Sequence, residues 1–292
     1  MKGLTEAREK SLMKKIGIVC CSNGQLKEWE DNLKQLEITL VELEIQPVFS
    51  EYIFEKDGVF SGTAQERAQA LMDFYADDEI DEIFDISGGD VANGILPYLD
   101  YDVIAEKDKH FWGYSDLTTI INAIYAKTKK ASGLYQIRNL IYDDKEQQTA
   151  CFRKTILENA NDLFHIDYTF LQQKKMQGIV VGGNIRCFLK LAGTAYMPDL
   201  EDKILLLESY GGKIAQMETY LSQLQQLGAF EKVAGIILGT FTQMESENVT
   251  PTMPEYIRKF IPKEMPLAVT KQIGHGTDAK GIMIGQEICI EA

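Results

Sequence analysis

Histidine is nearly missing from this sequence: three occur in 292 residues, at His110, His165 and His275. Scattered in this way they form no H-E-x-x-H pair, so a histidine-built metal centre has no support. Cations are scarce too. Thirty lysines and arginines face 44 aspartates and glutamates, a formal net charge of −14. Such a surface repels phosphate backbones and anionic lipid, which argues against nucleic-acid or membrane partners. No apolar run approaches the ~18 residues that cross a bilayer. The opening MKGLTEAREKSLMKK leads only into the short IGIVCC, unlike a secretory signal, and Met1–Leu12 reads as an extension before the first strand. The five cysteines, Cys20, Cys21, Cys151, Cys187 and Cys289, are odd in number and make no C-x-x-C pair. That pattern suits reduced thiols in a cytoplasmic protein, not a disulfide frame. No G-x-G-x-x-G is present, and Gly212-Lys213 is followed by Ile214, which is no Walker A loop. No cofactor is therefore expected.

What is present is ordinary globular material, 45% hydrophobic and 25% charged, long enough for two domains. Short β-rich runs alternate with amphipathic stretches. Lys15–Cys21 reads as a strand, Leu26–Glu44 as a helix and Gln46–Tyr52 as a strand. Thr63 caps the next helix with Glu66 in a capping box. Glu82–Ile86 and His110–Tyr114 are further strands, and Asp116–Lys127 carries apolar residues at helical spacing. Repeated strand–loop–helix units predict a parallel sheet covered on both faces. The polar Lys129–Leu163 reads as a connection plus an exposed helix. It divides the chain into residues 1–150 and 151–292. In the second part Gln177–Val181 is a strand, Gly182-Gly183-Asn184 a turn and Ile185–Leu191 a helix. Ile204–Leu207, Val233–Leu238, Leu267–Val269 and Glu287–Ile290 read as strands, with a long helix over Met217–Leu227.

Ligands of open α/β sheets bind at the carboxyl ends of strands, so reactive residues just after strands carry the interest. Ser115, in Gly113-Tyr114-Ser115-Asp116, falls where a strand turns into a helix, with helix N–H groups at hand for developing negative charge. Leu117 stands where a G-x-S-x-G elbow has its second glycine, and Ser115 or Asp116 equally suits a helix cap. Gly88 and Gly89, followed by Asp90, let backbone amides approach a ligand as an oxyanion hole requires, or form a plain βα turn. Glu208 ends Ile204-Leu205-Leu206-Leu207, where a carboxylate orients an imidazole or simply meets solvent. His275 sits between Gly274 and Gly276 in an unencumbered position for proton exchange, or is a loop histidine. His110 and His165 look structural. Together these residues supply nucleophile, base, orienter and donors, a complete set for acyl transfer.

On these residues the chain resembles the LD-carboxypeptidase family of serine peptidases, which includes the microcin C immunity proteins. The ordered landmarks run from Lys15-Ile16-Gly17-Ile18-Val19 through Gly88-Gly89-Asp90, Leu96-Pro97-Tyr98-Leu99 and Gly113-Tyr114-Ser115-Asp116. They continue through Asn122-Ala123-Ile124-Tyr125, Gly182-Gly183-Asn184, Leu206-Leu207-Glu208, Gly235-Ile236-Ile237-Leu238-Gly239 and Ile273-Gly274-His275-Gly276. The resemblance implies an N-terminal flavodoxin-like parallel-sheet domain carrying the nucleophile and a C-terminal mixed α/β domain carrying the other two groups. It implies Ser115 as nucleophile, His275 as base and acid, and Glu208 as the carboxylate that fixes the imidazole. The oxyanion would then face the amides of Asp116 and of Gly88-Gly89. A homodimer is also implied. Many muropeptide-cleaving members carry an arginine before the paired glycines and an aromatic after them. Ser87 and Asp90 hold those places here, nearer the immunity branch. Two substrates fit the class: a cell-wall tetrapeptide cut before its terminal D-alanine, or the acyl bond of a peptidyl- or aminoacyl-nucleotide. Asp90, Arg186 and Lys190 are the candidates for substrate contact. An alternative of another class is a non-catalytic peptide- or nucleotide-binding protein that uses the interdomain cleft.

Overall fold

The computed structural model describes residues 13–292; the expected extension Met1–Leu12 lies outside them. The chain opens with β1 (Lys14–Val19), α1 (Glu30–Glu42), β2 (Ile45–Phe49), α2 (Ala64–Ala76) and β3 (Glu82–Asp85). Then come α3 (Tyr101–Glu106), β4 (Phe111–Gly113), α4 (Thr118–Thr128), β5 (Ser132–Leu134) and α5 (Lys145–Glu158). The strands β1 to β5 are parallel in the order 2-1-3-4-5, the flavodoxin-like arrangement. Thr63 caps α2 as expected: its hydroxyl accepts from the Glu66 amide at 3.2 Å while Glu66 accepts from the Thr63 amide at 2.8 Å.

The second sheet is built from β6 (Thr169–Gln172), β7 (Lys175–Asn184), β8 (Lys203–Ser209), β9 (Gly235–Phe241), β10 (Leu267–Val269) and β12 (Glu287–Glu291). Its centre, β7 to β10, is parallel, and β12 and β6 close the two edges antiparallel. Helices α6 (Ile185–Leu189) and α7 (Ile214–Gln226) cover it. Among the described residues, no helix is long and apolar enough to cross a membrane.

Three expectations change. Gly182-Gly183-Asn184 is not a turn but the last part of β7. The glycines are there because a Cβ on Gly182 would lie 2.2 Å from the Leu206 carbonyl oxygen and one on Gly183 2.9 Å from Thr118 Oγ1. Lys129–Leu163 is more than a connection plus an exposed helix: β5 lies within it, and α5 is half-buried, covering Gln148, Phe152, Thr155 and Ile156, with Phe152 and Ile156 in an apolar cluster shared with Ile16, Leu36 and Trp112. The expected division at residue 150 falls inside that helix. Finally, β11 (Ile282–Ile284) returns to the first sheet and pairs antiparallel with β5.

The two sheets meet through α4. Ile120, Ile121 and Ile124 share one apolar cluster with Val180, Leu206 and Ile273 of the second half. Into this greasy contact the sequence inserts one amide. Asn122 donates to the Thr118 and Gly182 carbonyls at 2.8 Å each and accepts from the Gly182 amide at 2.9 Å. One turn earlier, Thr118 Oγ1 accepts from the Asn184 amide at 3.1 Å. Asn122→Ala leaves both Gly182 backbone groups buried without partners, at about 1–3 kcal/mol each. We expect that variant to lose about 3 kcal/mol in urea unfolding, and a loss below about 0.5 kcal/mol would contradict the assignment.

Candidate active site

At the carboxyl end of β4 the backbone turns at once into a 3-10 turn, Ser115–Leu117, that feeds α4. Ser115 has φ +53°, a left-handed conformation that a side-chain-bearing residue adopts only when its surroundings enforce it. Gly113 makes the bend possible, since a Cβ there would lie 2.6 Å from Leu117 Cβ. Neither Ser115 nor Asp116 acts as a side-chain cap. Instead Ser115 Oγ stands 3.3 Å from His275 Nε2. The other ring nitrogen, Nδ1, lies 2.8 Å from Glu208 Oε2. Parallel pairing of β7 with β8 sets Glu208 beside Asn184, and its carboxylate is wholly buried, so it does not mark a strand meeting solvent. Three residues far apart in the chain therefore converge.

The His275 loop is held from the first half of the chain. Thr277 donates to Asp144 at 2.5 Å, and Gln148 donates to the Thr277 and Ala279 carbonyls at 3.0 and 2.9 Å. His110 lies elsewhere, 3.4 Å from Glu82 and edge-on to Trp112.

The glycine turn after β3 lies over a buried polar chain. Asp85 accepts from the Cys21 amide and the Ser87 hydroxyl at 2.7 and 2.5 Å. Burial holds the Asp85 carboxyl above its ordinary pKa. Ser87 Oγ accepts from the Ser22 amide at 2.9 Å, and Ser22 Oγ donates to Asp116 at 2.7 Å. Asp116, fully buried, also accepts from the Ala92 amide at 2.8 Å and from Lys190 Nζ at 2.5 Å. Its carboxylate thereby ties the elbow to the 88–92 turn. Gly89 has φ +123°, and a Cβ there would strike Asn23 at 2.2 Å; a Cβ on Gly88 would face open space. Arg186 binds the Asp90 carboxylate and donates to the Gly89 carbonyl at 3.2 Å. The guanidinium hydrogen bond to the Asp90 carboxylate keeps that carboxyl below its usual pKa. Arg186 and Lys190, expected near substrate, thus hold the lip of the turn across the domain boundary.

Two aromatic groups escaped the sequence reading as separate candidates. Tyr114 meets the His275 ring edge-on with centroids 4.6 Å apart, and the exposed Tyr210 lies at 5.0 Å. The signal for both was adjacency alone: one precedes Ser115, the other follows Glu208 by two residues.

This arrangement on a doubly wound sheet belongs to a hydrolase of the serine-peptidase class. Residues 16–136 match the LD-carboxypeptidase N-terminal domain and residues 177–290 the LD-carboxypeptidase C-terminal domain. The chain belongs to the LD-carboxypeptidase family. It is 29% identical over 213 residues to the microcin C7 self-immunity protein MccF of Escherichia coli, an alignment spanning 61% of either chain. A probable murein peptide carboxypeptidase of Bacillus subtilis is 26% identical across 86% of this chain and 82% of its own. Among solved structures, MccF in complex with glutamyl sulfamoyl guanosine superposes with TM-score 0.83 at 22% identity, over 96% of this chain and 93% of that one. An MccF-like protein from Bacillus anthracis str. Ames gives TM-score 0.78 at 26% identity, over 96% and 94%.

Lys190→Met leaves the Asp116 carboxylate buried without its cation, a loss that typically costs about 3–5 kcal/mol. Because Lys190 keeps some solvent contact, we expect about 3 kcal/mol by chemical denaturation. An unchanged midpoint would show that the pair carries no weight.

Proposed function

We propose that the chain hydrolyses an amide-like acyl bond by a Ser115–His275–Glu208 triad. The carrying observation is the unbroken approach from Ser115 Oγ to His275 Nε2 at 3.3 Å and from Nδ1 to Glu208 Oε2 at 2.8 Å. With Nδ1 protonated toward Glu208, Nε2 is free to take the serine proton as Oγ adds to the substrate carbonyl. The tetrahedral oxyanion then faces the Asp116 amide at the head of the turn and an amide of Gly88-Gly89. The imidazolium returns its proton to the leaving nitrogen, the C–N bond breaks, and water repeats the cycle on the acyl-enzyme. The Asp90–Arg186 pair at the lip contacts the substrate.

Two substrates suit this chemistry, a tetrapeptide ending in D-alanine on an L,D-bond and an aminoacyl-sulfamoyl nucleotide. The relatives support both, one named a murein peptide carboxypeptidase and another solved with glutamyl sulfamoyl guanosine. Assaying both in parallel decides between them. On whichever is turned over, Ser115→Ala should reduce kcat by roughly 10⁴-fold or more. Turnover within tenfold of the parent enzyme would refute the nucleophile.

A further inference from the structure

Tyr114 places its hydroxyl 3.0 Å from His275 Nδ1 and 3.4 Å from Glu208 Oε2. The ring is 4% exposed. Glu208 Oε1 has no hydrogen-bond partner among the described residues, so every donor this buried carboxylate has converges on Oε2. A desolvated carboxylate stays ionised only through such donors and nearby positive charge.

The direction of the tyrosine bond follows from the reaction. For Nε2 to accept the Ser115 proton, Nδ1 must already carry one, so Nδ1 cannot accept from the phenol. Burial, reinforced by the Glu208 carboxylate, pushes the phenol pKa well above its ordinary value, and the hydroxyl keeps its proton. That proton has one remaining acceptor.

We propose that Tyr114 is a positioning residue for acyl transfer, its hydroxyl donating to Glu208 Oε2 and holding that carboxylate turned toward His275 Nδ1. The inference rests on the triad reading above. The edge-on ring contact fixes the imidazole from the side, while the hydroxyl sets the carboxylate. Other titratable groups around the cluster are Tyr210 beside the imidazole, Asp278 against Gly276, and the Asp116–Lys190 pair after Ser115. None of them hydrogen-bonds Glu208.

Tyr114→Phe removes the hydroxyl and keeps the ring. Loss of one bond to a charged group should lower kcat roughly tenfold, with KM unchanged within twofold. A carboxylate with one donor fewer binds the proton it shares with the imidazole more tightly, so the acid limb of kcat/KM should move to higher pH. The low-field Nδ1–H proton resonance of the parent enzyme, followed against pH, should shift in the variant in parallel. An unchanged rate and limb would overturn the proposal. So would a limb moving to lower pH, because the phenol oxygen would then be accepting from Nδ1. Ser115→Ala separates this from the underlying reading. If it stays active, the triad itself fails; if it is inactive while Tyr114→Phe is unaffected, only the tyrosine assignment fails.

Discussion

Asn122 and Thr118 clamp the end of β7 onto α4, the helix that follows the Ser115 turn, satisfying both backbone groups of Gly182 and the amide of Asn184. From this contact the rest follows by register. With β7 fixed against α4, parallel pairing puts Glu208 level with Asn184. The carboxylate then arrives under an imidazole carried on the loop after β10. The surrounding contact is apolar and shared by both halves of the chain, so the amide bonds supply orientation where hydrophobic burial alone would permit sliding. Gly183 leaves room for the Thr118 side chain, and Gly182 lets β7 lie against the Leu206 carbonyl of β8.

The elbow at Ser115 stores backbone strain, and the structure opposes it with a buried polar chain running from Asp85 through Ser87 and Ser22 to Asp116 and Lys190. Because Lys190 stands on the segment after α6, this chain crosses between the halves and passes, at Asp116, one residue from Ser115. An acidic protein has few cations to place. Two of them, Arg186 and Lys190, are committed to the lip of the glycine turn, where they set the relative position of Asp90 and Asp116.

Much of this was legible in the sequence, and the failures are instructive. Strand–helix alternation and the Thr63 capping box are local signals, and both hold in the structure. The flavodoxin-like and mixed α/β halves and the family resemblance, carried by ordered motifs, hold too. The glycines of β7 misled because glycine usually punctuates a chain; here they answer to Thr118 and Leu206, residues distant in sequence. Strands β5 and β11 are three residues each, too short for alternation to register. Gly133 within β5 reads as a breaker, yet it is required because a Cβ there would lie 1.9 Å from the Trp112 ring. The roles of Arg186, Lys190 and Tyr114 depend on partners 74 or more residues away, and no local pattern encodes such pairs.

The central claim is that docking of the two halves activates one hydroxyl. Covalent labelling with a fluorophosphonate, followed by peptide mass spectrometry, tests it most directly. The account predicts a single adduct on Ser115, formed at least roughly 100-fold more slowly in His275→Ala. Labelling at another residue, or at Ser115 with equal speed in both proteins, would contradict it.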